Sequence, residues 1–586
     1  MIVGIDLGTS TSEIAVLKGG LPVLIRDIAG SSKGFLPSVV AIGSDGTLRI
    51  GEAAAALLEV RPEATIAEVK RQMGTAARVT LDGESYSPQE ISALILRHLK
   101  REAEAALGEP VTEAVITVPA YFTDVQRRAT HDAGELAGLR VRRLVNEPTA
   151  AALAYGIERP HVEERVVVYD LGGGTFDVTL LELSEGVLDV VASTGNSQLG
   201  GKDFDDRLTA FLVTACRREM GVDLSASPRA HARLRGAAKR AKEDLSSAEG
   251  TRIEIDVSEG VRWEYTLTRG AFEAQIEDLV QSTTKQLDEA LRQKRLKPGD
   301  VDTVLLVGGS SRVPLVRAVV STYFGGRHLR TEVHPDEAVA LGAAVLGGIE
   351  EQVINPSAIV ITDVAPWTLG VAVTQDHGPR EINGVFSPLI LKQSTIPRTV
   401  THHYATRYHR QRSVLIEVYQ GDAPMCAANT KVGEFELADL EPAPAGADVE
   451  VSFTYNLNGE LEVVARALGR EGRVVLKPSA TRLSDDEKAA ARARLARWGA
   501  DGRPEKAAEP PADPTSIAEQ ARRAPLYPRV KALIERAERG APTLAAGVKT
   551  RVEVLLLEMR AALIANDERA VGVVEQALTN LLFELT

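Results

Sequence analysis

The sequence predicts a multidomain chain: a mixed α/β region built from two related halves, then an antiparallel β domain, then helices. Three observations carry this reading. One strand-and-glycine-turn phrase occurs twice, at residues 2–10 and 166–177. Apolar and polar residues alternate at period two between about 364 and 482. Beyond Leu483 the spacing becomes helical.

In the first copy Ile2-Val3-Gly4-Ile5 runs into Asp6-Leu7-Gly8-Thr9-Ser10. In the second, Val166-Val167-Val168-Tyr169 runs into Asp170-Leu171-Gly172-Gly173-Gly174-Thr175-Phe176-Asp177. Each is a short β-branched run suited to a buried strand, ending in a carboxylate and glycines. Glycine lets the backbone fold back so that its N–H groups close on a phosphate. Three consecutive glycines are costly to order unless the backbone must approach something closely. Two such turns facing each other would grip one nucleotide from both sides.

Each half closes with a run of small residues, 146–156 and 335–344, whose alanines and glycines allow two helices to approach closely. The α/β region is expected to span 1–354. An apolar linker follows at 355–363, containing Ile359, Val360 and Ile361. Exposed apolar chain is unfavourable in water, so the segment is expected to dock in one state and release in another; a plain edge strand is the competing reading.

Runs such as Val414-Leu415-Ile416-Glu417-Val418-Tyr419, broken by turn signals such as Asn458-Gly459, mark 364–482 as antiparallel β. A helical region is expected over 483–586, opened by Ser484 and Glu487 at capping-box spacing and interrupted by a Pro- and Ala-rich connector at 503–514. Helices at about 527–539 and 543–585, with Val554, Leu557, Ala561 and Ile564 on one face, are read as packing on each other.

A net charge of −13 argues against non-specific nucleic-acid binding. Two cysteines, Cys216 and Cys426, supply neither a disulfide framework nor a zinc site and fit a reducing compartment. No basic, apolar leader precedes Ile2, and no apolar stretch reaches the roughly 20 residues needed to span a bilayer, so no membrane association and a cytoplasmic location are expected. His402, His403 and His409 lack partnering Cys or spaced carboxylates and read as surface residues. Residues 195–202 miss the P-loop spacing, and no Gly-x-Ser-x-Gly elbow or Cys/His nucleophile signature occurs.

The ordered phrases Gly4 to Thr9, Val118-Pro119-Ala120-Tyr121-Phe122, 146–156, 170–177, Leu199-Gly200-Gly201 and Val307-Gly308-Gly309-Ser310-Ser311-Arg312-Val313-Pro314 resemble the DnaK-type 70-kilodalton heat-shock chaperone family over almost the whole chain. Its short C-terminal third looks most like the HscC branch, in Phe386-Ser387-Pro388-Leu389-Ile390 and Ile361-Thr362-Asp363. The resemblance implies an actin-like α/β ATPase domain with duplicated lobes, an apolar linker, a β-sandwich peptide-binding domain and a C-terminal helical lid.

It also implies ATP/ADP and Mg²⁺ as ligands. Asp6 and Asp170, with Glu147 and Asp177, would hold the metal's waters. Lys70 matches the lysine that positions the attacking water, although from residues alone it would be read as solvated. Gly8, Thr9, Ser10, Thr11, Gly172, Gly173, Gly174 and Thr175 match the phosphate-binding turns, joined by Gly200 and Gly201. Lys242, Ser246, Gly308, Gly309, Ser310, Arg312 and Asp336 match the nucleoside side. Lys239 and Lys202 depart from the family's acidic residues there. Pro119 and Arg127 match the switch coupling γ-phosphate to linker.

Val371, Tyr404, Val414, Ile416 and Val418 match the peptide groove. Thr374 and Arg407 stand where the arch over the peptide is usually apolar. Partners implied are unfolded or extended polypeptide clients, a J-domain cochaperone and a nucleotide exchange factor. The function expected is an ATP-dependent chaperone whose hold on apolar segments is switched through the linker. The alternatives are a regulator of one or few partners that keeps this fold, a sugar or metabolite kinase, and an actin-like filament protein. The last two fit poorly with some 220 residues of linker, β domain and helices after the α/β region.

Overall fold

The computed structural model describes residues 1–25, 35–156, 162–184, 187–258, 261–326, 329–330, 337–354, 360–377, 380–456, 459–476, 483–499, 521–522 and 524–540, and within 552–583 residues 552, 555–556, 559–560, 562–563 and 568–583. Two compact units divide the chain, 1–503 and 504–586.

The duplication read from the sequence is present in the sheets. In the first half Ile2–Leu7 lies parallel to Glu113–Val118 on one side and antiparallel to Thr11–Lys18 on the other, which in turn pairs with Leu21–Leu24. In the second half Glu164–Leu171 lies parallel to Thr303–Val307 and antiparallel to Phe176–Ser184, which pairs with Val187–Asn196. Each glycine turn thus sits at the carboxyl end of a central strand, where α/β sheets bind ligands.

The small-residue helices Glu147–Gly156 and Ala338–Glu350 pack together between the halves. Their approach needs glycine. A Cβ on Gly342 would lie 1.7 Å from the carbonyl oxygen of Ala150, and one on Gly4 would lie 2.1 Å from the amide nitrogen of Ala344. One apolar cluster joins Ile2, Val115 and Leu153 of the first half to Val168, Leu181 and Leu346 of the second.

Residues 369–476 form two four-stranded antiparallel sheets. One has the order Arg380–Ile390, Leu369–His377, Val414–Gln420, Thr430–Leu437; the other Arg398–Ala405, Asp448–Tyr455, Leu461–Ala467, Arg470–Leu476. Their inward residues alternate along each strand and make one core, with Ile416, Val418, Val451, Phe453 and Val463 buried.

The expected capping box forms at Asp485–Ala496: Ser484 Oγ accepts from Glu487 N at 3.1 Å and Glu487 Oε2 accepts from Ser484 N at 2.7 Å. This helix lies against Pro88–Leu107 and Asp124–Leu136. It adds Ala491 and Leu495, with Trp498 just after it, to the first half's core. In the second unit Tyr527–Gly540 and Glu568–Phe583 enclose an apolar core of Val530, Ile534, Leu556, Met559, Val571 and Leu578. Val554, Leu557, Ala561 and Ile564, and the connector 503–514, lie outside the described residues. Among the described residues no helix is long and apolar enough to cross a membrane. Cys216 and Cys426 are buried and unpaired.

Candidate active site

The two glycine turns face each other. A Cβ on Gly173 would lie 2.0 Å from Ser10 Oγ, and one on Gly174 would lie 2.6 Å from Thr9 Oγ1. The second turn is fixed by Gly172 N donating to Thr175 O at 3.1 Å. It is backed by the 199–201 turn, where Gly201 N donates to Gly172 O and Lys202 N to Gly173 O, each at 2.9 Å. Gly8 has Thr11 O 2.0 Å from where a Cβ would stand, so this turn also excludes a side chain.

Carboxylates converge beneath the turns. Asp6 ends one central strand and accepts from Thr117 Oγ1 at 2.7 Å. Asp170 lies near the end of the other and is paired in register with Asp177. Glu147 begins the interlobe helix and meets Lys70, which comes from a short turn at Val69–Gln72, with Nζ to Oε1 at 2.5 Å. Lys70 is 4 % exposed, so the solvated reading does not describe it.

Burial pushes the Asp170 carboxyl well above the usual range, and the charges of Glu147, Asp177 and Asp6 push the same way. Asp177 is pushed up to about 8 by burial and by Glu147, against the opposing pull of Lys70 and of an N–H bond from Tyr121. Asp177 Oδ1 is buried and has no hydrogen-bond partner among the described residues. One ammonium among four acids is too little countercharge, so Asp170 and Asp177 hold their protons more tightly than usual; a divalent cation would supply the missing charge and release them. Only His131, Asp132 and Glu135 place three metal-ligating atoms within 4.8 Å of one another among the described residues, so the acids between the halves suit a cation held through its waters. At that outer trio the Lys488 ammonium already lies 2.6 Å from Asp132 Oδ1 and 2.7 Å from Glu135 Oε2.

On the far side of the second turn, Ser310 Oγ donates to Gly172 O at 2.9 Å. Lys242 Nζ reaches Gly201 O at 3.1 Å and Asp205 at 2.7 Å. Gly308 has φ 78° and its missing Cβ leaves room for Leu171 O, 2.5 Å from where that atom would stand. Gly309 and Arg312 lie in the same short turn, Gly309–Arg312. The hydroxyl of Ser246 is directed to its own helix, donating to Lys242 O at 3.2 Å. Asp336 lies outside the described residues. Lys202 pairs with Asp206 and, at 3.9 Å, with Glu68 of the first half; burial raises the Asp205 pKa, and Lys242 and, less strongly, Lys239 pull against it.

Several participants were not singled out from sequence. Arg71, next to Lys70, crosses between the halves: its Nε and Nη2 donate to Gly174 O at 3.0 and 2.8 Å, and Nη2 pairs with Asp203 at 2.5 Å. Glu68–Arg235, at 2.6 Å, and Glu59–Arg240 span the same gap. Adjacent Lys and Arg in a glycine-flanked turn were the available signal for Arg71.

A second set connects the acids to the linker. Phe122 N donates to Pro119 O at 3.1 Å, closing the turn that carries Tyr121. Arg127 donates to Ala120 O at 3.4 Å and to Asn146 Oδ1; Asn146 Nδ2 donates to Asp363 Oδ2 at 2.7 Å. Val360–Ile361 pairs in parallel with Val187 and Leu188 as the last strand of the second sheet, and Ile361 packs on the interlobe cluster. This is the edge strand that was the competing reading for this segment. Ile359 and the Val360 side chain lie outside the described residues.

The sandwich touches the same surface. Lys392 Nζ donates to Tyr121 Oη at 2.6 Å, and the Tyr121 ring lies edge-on to Trp367 with centroids 4.8 Å apart. Gln393, at φ 65°, accepts from Ser193 N at 2.9 Å and donates to Ser193 O at 2.5 Å, standing in for a neighbouring strand. Of the residues expected in the groove, Val371, Ile416 and Val418 are buried in the sandwich core, and Tyr404 and Val414 are half-buried against it. Tyr404 Oη and Ser387 Oγ are hydrogen-bonded at 3.0 Å, bridging the two sheets. Thr374 Oγ1 donates to Asn383 Oδ1 at 2.8 Å, and Arg407 pairs with Glu381 and, at 3.5 Å, with Asp376.

A family model described as Hsp70 protein matches residues 2–525. Members of that family are ATP-dependent chaperones and ATPases, in keeping with opposed glycine turns over a cluster of buried acids. The match spans both α/β halves, the linker and the sandwich, and the chain belongs to the Hsp70 family.

Proposed function

We propose that the protein hydrolyses ATP between its two α/β halves and uses the cycle to alternate its hold on extended, apolar segments of unfolded polypeptides. The backbone N–H groups of 8–10 and 173–175 cradle the phosphates, as the mutual approach of the two turns and their glycines suit. Asp6, Asp170, Asp177 and Glu147 supply the carboxyl groups that would hold Mg²⁺ through water, Asp6 and Asp170 being nearest the strand ends. Bound Mg²⁺ supplies charge neutralisation at the phosphate oxygens.

Lys70 is held by Glu147 so that its ammonium can orient the attacking water and meet developing charge. Arg71 ties the second turn to the first half through Gly174 O. Phosphoryl transfer asks for little more than such positioning and charge. Lys242, Ser310, Gly309 and Arg312 border the nucleoside side.

The observation that carries the coupling is the Asn146 bond to Asp363, which joins the linker's end to the residue beside Glu147. ATP favours the docked arrangement; its loss releases the linker and the sandwich, and with them the grip on a client changes. The coupling is reciprocal, so a client accelerates hydrolysis. A J-domain cochaperone and a nucleotide exchange factor complete the cycle, in a reducing, cytoplasmic compartment that suits two buried free thiols.

The test is steady-state ATP hydrolysis with Mg²⁺, with and without unfolded apolar peptides and a J-domain, in the natural protein and in Ile361→Asp. Stimulation that the variant loses is the expected result. A rate indifferent to peptide, J-domain and linker would replace this reading with that of a dedicated regulator.

A further inference from the structure

Residues 398–412 contain four arginines and three histidines and no Asp or Glu, in a chain whose net charge is −13. They form the strand Arg398–Ala405, at the end of its sheet, and the loop returning to Val414–Gln420. Backbone bonds fix the loop. Gln411 Oε1 accepts from Arg407 N at 2.8 Å and Tyr408 N at 3.2 Å, Arg410 N donates to Ala443 O at 2.8 Å, and Leu440 N donates to Arg412 O at 3.0 Å. His402, His409, Arg410 and Arg412 are exposed. No ion pair joins Arg398, Arg410 or Arg412 to another described residue.

Arg407 differs from these. Its side chain is 25 % exposed and is shared between Glu381 and Asp376 of the hairpin in the opposite sheet, whose own side chains are 58 % and 79 % exposed. Two loops from different sheets are therefore joined through carboxylates on one guanidinium. Exposed pairs of this kind contribute little, because water competes for both partners. A carboxylate brought by a ligand can replace them at small cost. Apolar surface lies alongside: Ile382 and Leu415 are exposed, and the Tyr408 ring centroid is 5.7 Å from the Arg407 guanidinium.

We propose that this end of the sandwich selects extended polypeptide segments whose apolar centre is flanked by Asp or Glu, a flanking carboxylate taking the place of Glu381 and Asp376 on Arg407 and its neighbours facing Arg410 and Arg412. The inference rests on the peptide-binding reading above and adds the chemistry of the client. Charge complementarity carries it: a basic flank would meet Arg407, Arg410 and Arg412, with no acid interspersed among them in sequence and the nearby Asp448 already paired with His403, and like-charge juxtaposition is what excludes wrong partners.

The experiment is fluorescence anisotropy on the full-length protein with three labelled peptides sharing a leucine-rich centre and flanked by Glu, Gln or Lys, at low and high salt. The Glu-flanked peptide is expected to bind on the order of tenfold more tightly than the Lys-flanked one at low salt, with the gap closing at high salt. The double variant Arg410→Glu, Arg412→Glu, at positions that make no ion pair with another described residue, is expected to invert the order; Arg407→Ala is expected to narrow it. Equal binding of the three peptides overturns the inference and leaves the peptide-binding reading standing. Absence of binding by all three overturns both. Displacement of the Glu-flanked peptide by a single-stranded oligonucleotide as readily as by unlabelled peptide would make the surface a general polyanion site and also overturns it.

Discussion

The Asn146 side-chain amide donates to Asp363 Oδ2 across 2.7 Å, and the residue that follows it, Glu147, holds Lys70 at 2.5 Å. Asp363 is buried and pushed upward in pKa by that burial, with Val364 N and the Arg127 and Arg143 charges pulling it back. Asp363 and the Lys70 ammonium beside the glycine turns are thus separated by two adjacent residues of one chain segment. Removing the amide by Asn146→Ala leaves one acceptor of a buried carboxyl with only Thr149, at 3.4 Å, and is expected to weaken linker docking by about 1–3 kcal/mol. Stopped-flow measurement of ATP-induced peptide release is expected to slow; release at the natural rate would show that the bond is not part of the coupling.

Lys70→Ala deletes the ammonium that offsets Glu147, Asp170 and Asp177. Single-turnover hydrolysis is expected to fall by about 10²–10³, the order seen when one preorganised donor is removed, while ATP affinity stays nearly intact. Turnover within a few-fold of the natural protein would take Lys70 out of the mechanism.

The raised Asp177 pKa, about 8, gives a pH dependence with a defined sign. An unfolded aspartate loses its proton near 3.9, so between about pH 4 and 8 the folded state binds more protons than the unfolded state, and stability falls as pH rises. Asp170 acts in the same direction. Thermal unfolding of the ligand-free protein is expected to move to lower temperature from pH 5 to pH 8. Mg²⁺ with nucleotide is expected to raise the midpoint more at pH 8 than at pH 6, and Asp177→Asn is expected to flatten the slope. A ligand-free midpoint that rises over this range would contradict the assignment.

Helix Asp485–Ala496 is held on the first half by ions as well as by Leu495 and Trp498. Lys488 bridges Asp132 and Glu135, Arg494 meets the fully buried Glu90 at 2.7 Å, and Arg497 meets Asp82 at 2.7 Å. Asp132 is 2 % exposed, so Lys488→Ala leaves a buried carboxylate without this cation, a change of about 3–5 kcal/mol for buried pairs. Faster hydrogen exchange across 485–498 and a red-shifted Trp498 emission are expected. Unchanged protection would mean that the apolar contacts alone hold the helix.

Gly342→Ala is expected to lower the unfolding midpoint by several degrees, because its Cβ meets the backbone of Ala150, which has no rotamer with which to yield. A midpoint within a degree of the natural protein would show that the interlobe helices tolerate separation.

Local patterns were legible in the sequence. The glycine turns, the first small-residue helix and the Ser484 capping box depend on neighbours within a few positions and lie where spacing placed them; the second helix, expected over 335–344, runs from Ala338 to Glu350. Pairings between distant segments were not. Asn146 and Asp363 are 217 positions apart, Gln393 and Ser193 are 200 apart, and nothing local in a glutamine marks it as a substitute strand. Lys70 shows the limit most clearly: a lysine among polar residues reads as solvated, and only Glu147, 77 positions away, makes its burial tolerable. In the sandwich, alternation identified the strands. It could not tell a wall facing a ligand from one facing the opposite sheet, and Ile416 and Val418 face the opposite sheet.

The strand Val187–Asn196 is covered along one side by two unrelated devices, the linker at Val187 and Leu188 and the Gln393 amide at Ser193. A fragment that ends before Val360 lacks both covers. The ATPase portion then presents a raw sheet margin with unsatisfied amides, a template on which another extended chain can polymerise. Keeping the two portions tethered in one polypeptide guards against self-association, and a severed ATPase fragment inherits that hazard.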